Sequence, residues 1–75
     1  MCTYRIGNPI RRTAIGGVPH SVVCEECEEE LEGAAEVQRG QERFSGITTA
    51  GLIRLWPKME KSVKLHESRC RGRFR

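Results

Sequence analysis

The chain has 75 residues, of which 37% are hydrophobic and 31% are charged, and its formal net charge is +3. A chain of this length forms one domain at most, and its apolar core contributes only ~3–5 kcal/mol. No segment approaches the roughly 18 apolar residues of a membrane span, and the N-terminus lacks the apolar stretch of a signal peptide. We therefore expect a soluble, intracellular protein, cytoplasmic or nuclear, with no membrane partner.

The N-terminal third favours β structure. Two short apolar segments, Ile10–Ile15 and Val18–Val23, are separated by two glycines, which is the spacing of a hairpin turn with positive φ. Pro19 has no backbone N–H, so we expect the second strand to lie at a sheet edge or to be irregular at its start. A further short strand is predicted over Thr3–Ile6, before a turn that contains Pro9.

An acidic helix is predicted next, over Glu28–Gln38 and ending by Gly40. An apolar stripe recurs there at helical spacing, and the glutamates cluster in the first turns, where the helix dipole favours negative charge. Residues 41–46 are interpreted as a connector. Cys27, Leu31, Ala34, Ala35 and Gln38 form the stripe.

Two helices are predicted in the C-terminal half. The first covers Ala50–Trp56, with Thr48 or Thr49 as its cap. The second covers Pro57–Cys70, because proline fits the first position of a helix, where its missing donor would be unpaired anyway. In that second helix one face is predicted to point toward the core. It carries Met59, Val63, His66 and Cys70.

Four residues occur in pairs at metal-ligand spacings. Cys24 and Cys27 form a Cys-x-x-Cys pair, and His66 and Cys70 lie one helical turn apart. Two such pairs can build a tetrahedral Cys₃His shell around Zn²⁺, with all four positions closed and no site for a catalytic water. His20 and Cys2 are alternatives for the fourth ligand.

The metal prediction also determines the expected fold. A structural Zn²⁺ contributes an apparent ~10–16 kcal/mol in small peptides, several times what this core can supply. In a reducing compartment, cysteines are also more typical of thiols or metal ligands than of disulfides. We expect an α+β, zinc-stabilised domain over residues 1–70, with a β-hairpin, a Cys-x-x-Cys knuckle and two or three short helices. Residues 71–75 are expected to form a basic tail.

A catalytic role is not expected. The chain has no aspartate, no phosphate-binding glycine loop and no Ser/His/acid set. A strand followed by Cys-x-x-Cys is also the layout of thiol redox proteins, which remains a remote alternative. In such proteins the thiol pKa is lowered by positive charge or a helix N-terminus, whereas Glu25, Glu26 and Glu28 act in the opposite direction.

The charge distribution suggests a binding function. The net charge is +6 between Arg54 and Arg75, and a basic helix with an Arg-Gly-Arg-Phe-Arg end suits contact with the phosphates of DNA or RNA. We therefore predict a small zinc-binding module with a nucleic-acid-binding or regulatory role. The predicted contact residues are Arg54, Lys58, Lys61, Lys64, Arg69, Arg71, Arg73 and Arg75.

The acidic segment supports an alternative function. Residues 25–36 contain seven glutamates and no basic residue. An acidic helix of this kind can dock on a basic patch of a partner protein, and the chain would then act as an adaptor or inhibitor.

Overall fold

The computed structural model of the protein describes residues 2–11 and 17–73 and has an α+β fold. The elements are β1 (Thr3–Pro9), β2 (Val18–Cys24), β3 (Ala35–Val37), β4 (Ile47–Thr48), α1 (Thr49–Leu55) and α2 (Glu60–Arg73). The four strands form one antiparallel sheet in the order β3-β2-β1-β4, and the two helices follow them in the chain. Single 3₁₀ turns at Gln41–Arg43 and Pro57–Met59 precede β4 and α2. The predicted α+β class is confirmed.

The partner of β2 differs from the prediction. Over the described residues, β2 pairs with β1, with Tyr4 opposite Cys24 and Pro9 opposite His20. Inward-facing Tyr4 and Ile6 of β1 are buried in the core, whereas the Ile10 side chain is 54% exposed, so burial favours the earlier segment. Most of the predicted first strand and the first glycine of the predicted turn lie outside the described residues.

Of the two expectations for β2, the edge position is wrong, whereas the irregular pairing near its start is found. β2 pairs with β1 on one side and with β3 on the other. The ladder accommodates Pro19 beside a register shift between Ile6 and Pro9, and the Pro19 carbonyl accepts a hydrogen bond from the Ile10 N–H at 2.8 Å. Irregular pairing of this kind is where a proline is tolerated within a sheet.

The predicted acidic helix over Glu28–Gln38 is absent. The chain instead folds back along β2: the Leu31 N–H donates to the Val22 carbonyl at 2.8 Å, and residues 35–37 form β3. Gly33 adopts φ 86°, a left-handed conformation that interrupts a helix. Helix propensity in this glycine-containing segment is weak, and pairing with β2 outweighs it.

Both C-terminal helices are present. The Thr48 hydroxyl caps α1 by accepting a hydrogen bond from the Gly51 N–H at 3.1 Å. Pro57 begins the 3₁₀ turn that leads into α2, and α2 continues to Arg73, three residues beyond the predicted end.

The core lies between the sheet and the helices. Leu52 of α1 and Val63 of α2 are fully buried, and the buried Trp56 donates its indole N–H to the Glu36 carbonyl at 2.7 Å. This bond ties the α1–α2 junction to β3. Among the described residues, no helix is long and apolar enough to cross a membrane.

Candidate metal centre

The pairing of β1 with β2 brings the N-terminus to the Cys-x-x-Cys knuckle. Tyr4 lies opposite Cys24, and the Glu25 N–H donates to the Thr3 carbonyl at 2.8 Å. Side chains alternate along a strand, so Cys2 faces the same side as Tyr4, and both are buried. The Cys2 thiol is therefore held beside Cys24.

The knuckle is a tight turn after β2. The Glu28 N–H donates to the Cys24 carbonyl at 2.8 Å, and Glu28 adopts φ 61°, a left-handed conformation that is uncommon for a residue other than glycine. The Arg5 guanidinium donates two hydrogen bonds to the Glu28 carboxylate, at 2.7 and 3.2 Å, and this contact lowers the pKa of that carboxyl. The turn carries Cys27 to the edge of the site, where it is partly exposed.

Helix α2 supplies the remaining donors. His66 and Cys70 lie one turn apart on the face that also carries Met59 and Val63, and all four side chains are buried. The predicted core face of this helix is confirmed. The Tyr4 ring packs edge-on against the His66 imidazole, with 6.0 Å between ring centroids.

These elements bring four buried donors together. The ligand atoms of Cys2, Cys24, His66 and Cys70 all lie within 4.8 Å of one another, and the sulfurs of Cys2 and Cys70 are 3.3 Å apart. In a tetrahedral zinc shell the donor atoms are separated by about 3.8 Å (two sulfurs) or about 3.6 Å (sulfur and nitrogen). This buried Cys/His cluster can therefore hold one metal ion.

A second group of donors adjoins the buried four and shares His66 with them. The Cys27 sulfur is 3.5 Å from His66 Nε2, and one carboxylate oxygen of Glu29 is 3.9 Å from His66 Nδ1 and 3.9 Å from the Cys27 sulfur. A carboxylate beside the far nitrogen of a metal-binding imidazole fixes the ring orientation. Glu29 lies on this side of the ring, at a distance longer than a hydrogen bond.

The Cys70 thiol is expected to release its proton to solvent only when a metal cation binds the sulfur. Burial raises the pKa of this thiol, and a hydrogen bond with Cys2 and the nearby Cys24 and Cys27 thiols raise it further. The proton is therefore retained at neutral pH when no cation is bound. A bound divalent cation supplies the charge that stabilises the thiolate.

The structure places the predicted ligands as follows. Three of them, Cys24, His66 and Cys70, belong to the buried cluster. Its fourth member is Cys2, which was an alternative in the sequence-based prediction. Cys27 lies outside these four and contacts His66. His20, the other alternative, belongs to neither donor group among the described residues, and its Nδ1 lies 2.9 Å from the Val18 carbonyl oxygen. His20 and Cys24 are four positions apart along β2, a distance of about 13 Å.

One sequence signal points to Cys2. The residues Cys2, Tyr4 and Ile6 alternate with polar or small ones, as expected for one face of a strand. Extending the predicted strand backward by one residue would have placed this thiol on the core side, opposite the knuckle.

The predicted nucleic-acid contacts lie mainly on α2, away from the metal donors. Lys61, Lys64 and Arg69 are exposed on that helix, and Lys64 pairs with Glu60 at 3.2 Å. Arg54 and Lys58 are also exposed, and Lys58 lies 3.8 Å from the Glu36 carboxylate. The α2 backbone includes Arg71 and Arg73, whereas Arg75 lies outside the described residues.

Comparisons of the chain with protein-family models, curated proteins and solved structures gave no match.

Proposed function

We propose that the protein is a non-enzymatic zinc module that binds nucleic acid through the solvent-facing side of α2. The proposal rests on the buried cluster of Cys2, Cys24, His66 and Cys70. Three thiolates and one imidazole form a donor set that suits Zn²⁺ and is too soft for Mg²⁺ or Ca²⁺. Four protein donors also leave no position for a reacting water, which favours a structural metal.

The metal has a clear structural task in this proposal. It joins three parts of the chain that are distant in sequence: the residue before β1, the end of β2 and the last turns of α2. The described core contains few large apolar side chains, so a cross-link at this point fixes α2 against the sheet. Function is then a property of the surfaces that the metal holds in place.

The solvent-facing side of α2 supports the nucleic-acid assignment. At about 100° per residue, Lys61 lies roughly opposite the buried side of Val63 and His66, and Lys64 and Arg69 flank it. A basic row on one rigid helix can neutralise several consecutive phosphates, and each neutralised phosphate releases counterions. Arg71 and Arg73 add two basic residues to the C-terminal end of the helix.

The salt dependence of binding tests this proposal. The affinity of the zinc-loaded chain for a mixed-sequence DNA duplex and for single-stranded RNA is measured between low and physiological salt. The variant Lys61→Gln/Lys64→Gln should weaken binding and reduce the slope of log K against log salt by about 2, since each lost phosphate contact contributes about 1.

A charge-matched control keeps the test specific. Arg39→Gln/Arg43→Gln removes the same charge from two residues outside α2, and it should change the slope less. The proposal fails if the wild-type chain binds neither nucleic acid at low salt, or if both double variants lose binding equally.

The alternative of a protein adaptor rests on the acidic segment, residues 25–36. This segment is a loop and a short strand, not a helix, and its Glu26, Glu30 and Glu32 side chains are exposed. Some of its negative charge is neutralised within the chain, because Glu28 forms an ion pair with Arg5. Charge reversal at Glu30 and Glu32 should abolish partner capture while leaving the fold intact if this alternative is correct.

The redox alternative makes a separate prediction. Catalytic reduction of a disulfide substrate should be lost in Cys24→Ser if the thiol pair is an active site.

A further inference from the structure

The metal centre contains more donors than a tetrahedral ion can use. Cys2, Cys24, Cys27, His66 and Cys70 provide four sulfurs and one imidazole, and each lies in contact range of another member of the set. A structural zinc site takes four ligands. One thiol is therefore left over in any shell that includes His66.

Three of the donors lie on regular elements, Cys24 at the end of β2 and His66 and Cys70 on α2. Cys24, His66 and Cys70 belong to the buried cluster, and Cys24 and His66 are fully buried. The remaining two thiols contact different members of this trio, because Cys2 contacts Cys70 and Cys27 contacts His66. The fourth position of the shell is thus approached from two sides.

Each extra thiol has a contact compatible with ligation. Cys2 is 3.3 Å from the Cys70 sulfur, and Cys27 is 3.5 Å from His66 Nε2, close to the sulfur–nitrogen separation of about 3.6 Å in a tetrahedral shell. The two thiols also belong to independent parts of the backbone, the residue before β1 and the knuckle turn. One can bind without displacing the other from its strand or turn.

We propose that Cys2 and Cys27 alternate as the fourth ligand of a zinc ion held permanently by Cys24, His66 and Cys70. This inference rests on the proposed zinc site. In each exchange one Zn–S bond breaks and another forms: the arriving thiol gives up its proton and binds as thiolate, and the departing thiolate takes up a proton. The charge of the shell and the oxidation state of every atom stay the same.

Alternation gives the site a spare donor at its partly exposed side. Cys27 is the partly exposed thiol of the four, whereas Cys2, Cys24 and Cys70 are buried. When Cys2 completes the shell, the Cys27 thiol is left beside the metal, within reach of a second metal ion or a chelator. The site is therefore expected to exchange zinc faster than a shell with four fixed ligands.

Zinc affinity of serine variants tests the inference. Full-length wild-type protein and the variants Cys2→Ser, Cys27→Ser and Cys24→Ser are titrated with Zn²⁺ in competition with a chromogenic chelator. If two shells of similar affinity coexist, removal of one lowers the total affinity only about twofold, because the remaining shell still binds.

The double variant and the fixed-ligand variant provide the contrast. Cys2→Ser/Cys27→Ser leaves three donors and should lose at least about a hundredfold in affinity, more than the 10–100-fold typical of an outer-sphere change. Cys24→Ser should lose as much as the double variant. The signature of alternation is therefore two mild single variants and one severe double variant.

A spectroscopic measurement covers the case in which a variant folds poorly. ¹¹³Cd²⁺ bound to the wild-type chain should give two resonances, or one exchange-broadened resonance, and each single variant should give one sharp resonance. A single sharp wild-type resonance, or a Cys2→Ser or Cys27→Ser loss as large as that of Cys24→Ser, would overturn the inference. Absence of any zinc or cadmium binding by the wild-type chain would instead refute the proposed zinc site.

Discussion

The substitution Leu52→Ala compares what the small apolar core and the metal each contribute to the free energy of unfolding. Leu52 is fully buried between the sheet and the helices. Truncation of a fully buried leucine to alanine costs ~2–5 kcal/mol, which is comparable to the ~3–5 kcal/mol that a core of this size supplies. We therefore expect the metal-free variant to be largely unfolded at 25 °C. The zinc-loaded variant should stay folded, because a structural zinc contributes an apparent ~10–16 kcal/mol.

Circular dichroism during thermal unfolding, with zinc or with excess chelator, measures the difference. Leu65→Ala is the matched control, since it removes the same atoms from a side chain of α2 that is 52% exposed. The control should melt near the wild type in both conditions. The expectation is wrong if metal-free Leu52→Ala retains a cooperative transition close to that of the wild type. It is also wrong if Leu65→Ala lowers the thermal midpoint as much as Leu52→Ala does.

Three further predictions concern the sheet, the thiols and the helix cap. A Cβ on Gly7 would lie 2.3 Å from the Ser21 hydroxyl oxygen, so Gly7→Ala should cost ~1–3 kcal/mol in urea unfolding, with partial rescue in Gly7→Ala/Ser21→Ala. The pKa of Cys70 is raised in the folded state, so its contribution to metal-free stability is complete below the ordinary thiol pKa of about 8.5 and declines at higher pH. Urea titrations from pH 7 to 10 should show this decline, and Cys70→Ala should reduce it; a rise in stability would contradict the assignment. Thr48→Ala should cost ~1 kcal/mol, and Thr48→Ser should cost little, since the hydroxyl caps α1.

The C-terminal half was predictable because its signals are local. A threonine cap, a proline at a helix start and an apolar face with a 3.6-residue period each act within one turn of a helix. The positions of Thr48, Pro57 and Val63 in the structure agree with these signals. The same periodicity placed His66 and Cys70 on the buried face, and the Cys-x-x-Cys spacing indicated Cys24, so three of the four residues of the buried Cys/His cluster were predicted from the sequence.

The sheet was harder to predict because strand pairing is not local. The choice between Ile10–Ile15 and Thr3–Pro9 as the partner of β2 depends on which side chains are covered by α1 and α2, and no short window of sequence contains that information. The same applies to residues 28–38, where a weak helical pattern gives way to pairing along β2. The register of β1 against β2 in turn decides that Cys2 joins the metal donors.

Native mass spectrometry of the full chain, with and without a chelator, shows whether zinc binds and whether it stabilises the fold. We expect one zinc ion per wild-type chain. After the metal is removed, the compact ions should unfold at a lower collision energy, and one equivalent of zinc should restore the higher energy. A chain that takes up no zinc, and whose compact ions unfold at the same energy with and without chelator, would contradict the proposed zinc site.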